Sequence, residues 1–146
     1  GSPSGAASIA QVESDVARFI AAHSVAKPRE LLALALLWHD HLDASHTIIQ
    51  DIEDADAAYV HGLMHRREPD YDNAKYWFNR VGPHPVFANL SNAAQALGFA
   101  DGWDPYAFID VCERSQRPEN PADRAMLAQR IQAEEFTVLA AHLVGA

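Results

Sequence analysis

Between Leu31 and His65 the chain places five of its eight histidines (His39, His41, His46, His61 and His65) among six aspartates and glutamates, with no lysine or arginine. Imidazole and carboxylate are the side chains that bind a borderline divalent metal and that move protons near neutral pH. His61 and His65 are spaced i, i+4, and Glu68 follows at i+7, so a helix would align all three along one ridge. If Pro28 to about Gln50 forms one helix, His39, Asp43, His46 and Gln50 fall within a sector of about 60°. That sector continues the apolar stripe of Leu32, Ala35 and Leu36, which should face the core. A short acidic loop between the two helices would fold the ridges face to face. His46, His61 and His65 are then candidate ligands for a divalent metal: zinc, iron, nickel or manganese. Asp43 and Glu68 would ligate it, orient the imidazoles or serve as the catalytic acid or base. The alternative is a buried hydrogen-bond network that fixes helix packing and does no chemistry.

The next segment differs in charge. From His65 to Arg80 stand four of the eleven basic residues (Arg66, Arg67, Lys75, Arg80) beside Tyr71, Tyr76, Trp77 and Phe78. Arg66 and Arg67 could clamp a carboxylate or phosphate, with Tyr71, Tyr76 and Trp77 lining the ligand. The competing reading places both arginines at a helix C-terminus, where cations complement the dipole and pair with Glu68, Asp70 or Asp72.

The elements that must position these groups are helical. Apolar residues recur at helical spacing, and no segment alternates as a strand would. The expected helices run from about Ile9 to His23, Pro28 to Gln50, Asp56 to Arg67, Asn73 to Val81 and Val86 to Leu97. Two more start at the cap and proline pairs Asp104-Pro105 and Asn120-Pro121. The fold class is therefore all-α, a compact bundle of about seven helices. Residues 9–146 form its single domain, and residues 1–8 a disordered tail or cloning remnant. His41 is expected at the surface, and His23 and His142 near helix C-termini.

Composition bounds the partners. The 146 residues are 49% hydrophobic and 21% charged, as in globular proteins. The net charge of −9 opposes a polyanion, so no nucleic acid is expected. The longest apolar run, Leu31 to Trp38, is eight residues, whereas a membrane span needs about 20. No membrane association is expected, and a cytoplasmic protein with one unpaired cysteine, Cys112, fits this composition. The remaining partners are a small anionic molecule and, as a homo-oligomer, further copies of the chain.

Tyr59 to Pro85 resembles a tetratricopeptide-type hairpin. Asp70-Tyr71-Asp72-Asn73-Ala74 matches its turn, Gly62 its small position, Phe78 its aromatic and Pro85 its closing proline. The pattern His-Arg-Arg-Glu, then Asn-Ala-Lys-Tyr-Trp-Phe, then His-Pro-Val-Phe, is also similar to a family of soluble microbial helical proteins whose activity is uncharacterised. The expected function is a small-molecule site in a polar pocket between the second, third and fourth helices, with divalent-metal dependence open. The alternative is a non-catalytic interaction module whose hairpin presents Tyr71, Tyr76 and Trp77 to a protein partner.

Overall fold

In a computed structural model that describes residues 6–96, 98 and 102–145, the chain is all-helical. Its elements are α1 (Ile9–Ala22), α2 (Pro28–Trp38), α3 (Leu42–Ile49), α4 (Ala55–Arg67), α5 (Tyr71–Val81), α6 (Val86–Ala96), α7 (Pro105–Ser115) and α8 (Ala122–Val144). No helix among the described residues is long and apolar enough to cross a membrane. The expected end of the fifth helix at Leu97 lies outside those residues, as do residues 1–5 of the expected tail. The rest of that tail is engaged. Ser8 caps α1 by accepting from Gln11 N–H, Ala7 N–H donates to His39 Nδ1, and Ala7 O meets His41 Nε2 at 2.7 Å.

The expected helix from Pro28 to Gln50 is two helices. α2 ends in a Schellman motif: His41 N–H donates to Leu36 O and Asp40 N–H to Leu37 O, each at 2.9 Å. Asp40 takes the left-handed position at φ 65°, which aspartate tolerates better than most residues. The chain then turns, and α3 starts at Leu42. The row His39, Asp43, His46 and Gln50 therefore does not exist as one ridge. His39 and His41 hold Ala7, and Asp43 is exposed.

α4 occupies the centre. Asp54 caps it by accepting from Ala57 N–H at 2.7 Å, as the acidic run before it leads one to expect. Every residue from Asp56 to Arg66 is buried, and α2, α3 and α5 pack on it. Its Tyr59, Val60, Leu63 and Met64 join Leu34, Leu37, Phe78, Leu90, Ile109 and Leu139 in the main core. α5 packs tightly against α4 at Gly62, where a Cβ would lie 2.6 Å from Phe78 Cε2. α8, the longest helix, runs past α2, α6 and α7 and buries Glu135, Phe136 and Leu139.

Candidate functional site

A helix buried all round must supply a partner for each polar group it carries. α4 carries four: Asp56, His61, His65 and Arg66. At about 100° per residue, His61 and His65 lie roughly 140° to 180° from Asp56, and Arg66 about 280° from it, beside Tyr59. One helix thus serves three separate polar clusters.

Arg66 faces α8. Its Nη2 donates to Glu135 Oε1 at 2.6 Å, and Tyr59 O–H donates to Glu135 Oε2 at 2.8 Å. The guanidinium also sits 5.0 Å over the Phe108 ring. Burial opposes the charge on Arg66, but the Glu135 carboxylate outweighs it and holds the pKa above its ordinary value. Burial, and then Glu135, push the Tyr59 hydroxyl well up, so it stays a donor. One group is left over: Arg66 Nη1 is buried and has no hydrogen-bond partner. Arg66 lines a cavity of about 460 Å³ together with Arg67, Tyr71, Gln132, Trp38 and Phe136. Arg67 reaches Asp40 at 2.7 Å, so the Schellman turn supplies its counter-charge. Cys112 and Gln116 of the α7 end also border this cavity, as does Gln129 of α8. Burial pushes the Cys112 thiol up, with Arg66 opposing, so near neutral pH it is mostly thiol and reacts slowly, and faster at alkaline pH.

The histidine column lies on the far side of α4. The His61 ring stacks on Trp77 at 3.8 Å and on His65 at 5.5 Å, and meets the edge of His46 at 4.9 Å. The three histidines expected as metal ligands are therefore neighbours. Their ring nitrogens do not gather within 4.8 Å of one another, because stacked rings direct their in-plane lone pairs along parallel planes. Burial, and then the neighbouring His46 and His65, lower the His61 pKa to about 4, so this imidazole is neutral at pH 7. His65 Nδ1 meets Glu68 Oε1 at 2.5 Å, which engages Glu68. No hydrogen bond or ion pair joins the exposed Asp43 carboxylate to a histidine. Trp77 has His61 on one side and the Arg80 guanidinium 5.5 Å from its centroid. A second cavity, of about 410 Å³, borders His61, Trp77, Arg80, Gln50 and Glu53. Tyr76 is exposed, and its hydroxyl accepts from Arg80 at 3.3 Å. With Tyr71 in the other cavity and Trp77 half-buried, the three aromatics of the hairpin do not share one exposed surface.

The third cluster was not legible in the sequence. His84 Nε2 lies 2.7 Å and His142 Nε2 3.0 Å from the same oxygen, Oδ1 of Asp56, and Lys27 Nζ comes within 3.9 Å of that carboxylate. Val86 N–H donates to His84 Nδ1, so the ring proton of neutral His84 sits on Nε2 and points at Asp56. Burial lowers the His84 pKa, with Asp56 opposing. His142, expected only to complement a helix terminus, instead ties α8 to α4.

The expected single pocket is thus divided by α4. Arg66, Arg67 and Tyr71 meet at the α7 and α8 side, and His46, His61, His65 and Trp77 at the α3 and α5 side. The fold and sites define an all-α protein whose central helix is polar at three azimuths. No family model matches the chain, and no curated protein or solved structure matches it.

Proposed function

We propose that this protein binds a small anionic molecule in the cavity between α4, α7 and α8. The observation that carries this reading is the Arg66 guanidinium, buried beside a cavity of about 460 Å³ with Nη1 lacking an acceptor. An unsatisfied buried donor costs roughly 1–3 kcal/mol, more when charged, so a small turn of the guanidinium that brings Nη1 to a ligand oxygen in the cavity would recover that energy. Arg67 and Tyr71 add donors at the same cavity, and Trp38 and Phe136 provide apolar surface for the rest of the ligand.

The single cysteine makes the test direct, because Cys112 borders the cavity. A panel of small carboxylates and phosphates is screened by ligand-detected NMR, and the rate of Cys112 alkylation is followed with each at alkaline pH, where the wild-type rate is measurable. A binder that slows alkylation supports the reading. A panel in which nothing binds and nothing slows alkylation overturns it.

Divalent-metal dependence is the second reading, favoured by Asp56, His84 and His142, whose ligand atoms lie within 4.8 Å of one another. The His84 tautomer weighs against it, since the nitrogen facing Asp56 carries the proton. The other cluster of this kind among the described residues, His65, Glu68 and Asp70, has its Asp70 carboxylate engaged by Asn73 at the start of α5. Elemental analysis of protein purified without added metal or chelator, repeated with His84→Ala and His61→Ala, decides the point. Near-stoichiometric metal lost in one variant locates a centre, and metal-free protein that takes up none on titration refutes the reading.

A further inference from the structure

Resting on the reading of the α4, α7 and α8 cavity as a ligand site, we infer that its ligand is a monocarboxylate with a flat apolar body, and not a phosphate. Three observations converge on this class.

The first is charge. The cavity has two guanidinium groups, but each is already matched: Arg66 by Glu135 at 2.6 Å and Arg67 by Asp40 at 2.7 Å. The cavity therefore presents hydrogen-bond donors with almost no net positive charge. A phosphate near neutral pH carries about −1.5 to −2 charges and would sit close to the buried Glu135 carboxylate without a cation of its own. A single carboxylate carries about half to two-thirds of that burden and still supplies acceptors for N–H groups.

The second is the donor set. Arg66 Nη1 lacks a partner, and the Tyr71 hydroxyl at the cavity is a donor at neutral pH, as any phenol is. Gln116, Gln129 and Gln132 add neutral amides that donate or accept without charge. This is a lining for a monoanion that bears further neutral polar groups. A cluster of lysines, the common surround for a multiply charged anion, is absent from it.

The third is shape. Trp38, half-exposed, packs on the buried Phe136 with ring centroids 5.3 Å apart and tilted by 59°, so its ring is held in place with one part open. That open part offers aromatic surface to a planar ligand body. The volume, about 460 Å³, lies within the usual range of small-molecule sites and is ample for one ring plus a carboxylate.

Calorimetric titration of the intact protein with benzoate, benzamide and inorganic phosphate tests the class, with Cys112 alkylation as a second readout. Benzoate should bind and slow alkylation, while benzamide and phosphate bind about tenfold more weakly or not at all, a difference of about 1.4 kcal/mol. Trp38→Ala, at a half-exposed position, should weaken benzoate about five- to tenfold by removing one aromatic wall, with its melting temperature as the check that the fold is kept. Gln132→Leu should weaken it less. Phosphate binding more tightly than benzoate overturns the monocarboxylate and leaves the cavity reading standing. Benzamide binding as tightly as benzoate removes the role of charge. If none of the three probes binds, this inference fails. If in addition none of the wider panel slows alkylation, the reading beneath it fails as well.

Discussion

Removing the Glu135 carboxylate should be among the most damaging single changes available in this protein. Glu135 is fully buried and receives two donors, Tyr59 O–H at 2.8 Å and Arg66 Nη2 at 2.6 Å. Glu135→Ala strands the Arg66 charge inside the core, and breaking a buried pair from one side costs about 3–5 kcal/mol. That is about a fifth or more of the stability of a typical domain, roughly 5–15 kcal/mol. Glu135→Gln keeps the volume but answers only one of the two donors with its single amide oxygen, so it should fall close behind. Removing the whole unit has a different expected outcome. The triple change Arg66→Met, Glu135→Leu and Tyr59→Phe leaves no charge and no unanswered hydroxyl, and should come back to within about 1–2 kcal/mol of wild type. Equilibrium unfolding in urea reads this directly: with a slope of about 1–3 kcal/mol per molar, Glu135→Ala should lower the midpoint by roughly 2 M. The triple variant should have nearly the wild-type midpoint and yet bind no anion. Two results would refute the reasoning: a loss below about 1 kcal/mol in Glu135→Ala, or a triple variant as unstable as the sum of its parts, since either denies the coupling.

Three further changes test other parts of the structure. Gly62→Ala gains roughly 1 kcal/mol of helix propensity, but its Cβ would lie 2.6 Å from the buried Phe78 ring, so thermal melting should show a net loss of about 1 kcal/mol, and a raised melting temperature would contradict the close approach of α4 and α5. At position 40, where φ is 65°, Asp40→Gly should be more stable than Asp40→Ala by about 1 kcal/mol; both lose the pair to Arg67, so equal midpoints would deny the left-handed turn. For His61 the folded pKa, about 4, lies below the ordinary 6.5, so the unfolded chain takes up the proton first as pH falls. The native state should therefore keep its full His61 contribution above pH 6.5 and lose up to about 3 kcal/mol between pH 6.5 and 4. His61→Phe should flatten that part of the profile, and parallel urea midpoints for the two proteins across this range would exclude a buried neutral His61.

Elements whose cause is local were legible in the sequence, and contacts that depend on distant residues were not. The Asp54 cap, the proline starts at Pro28 and Pro105, and the end of α5 at Gly82 are each written in adjacent residues. The break at Asp40 escaped because aspartate in a left-handed Schellman position has no glycine or proline to announce it, and the apolar periodicity runs straight through. That error alone merged two of the eight helices among the described residues into one and created a polar ridge that the turn dismantles. Within α4 the spacing did place His61 beside His65, and the arginines beside Tyr71. The partners were out of reach. Glu135 lies 69 residues from Arg66, and His142 lies 86 from Asp56, and nothing in either neighbourhood marks the pairing. A helical wheel could have shown that Arg66 projects away from His61, and hence that one pocket could not hold both.

The polar groups of α4 differ in what the fold needs from them, and this difference points to the site. Asp56 and His84 have structural work: His84 accepts from Val86 N–H at the start of α6 while its other nitrogen donates to Asp56, so one ring joins α4 to a helix terminus. An apolar pair could not replace both bonds. His61 makes a different kind of contact, stacking on Trp77 in its neutral form. The Arg66 and Glu135 pair is different, because well-packed apolar side chains of similar volume serve a core as well or better. Stability therefore gives no reason for a guanidinium at this position, least of all one with Nη1 unanswered. Its placement beside a cavity with Arg67 and Tyr71 gives it a use that packing does not, and a folded triple variant without anion binding would separate the two roles.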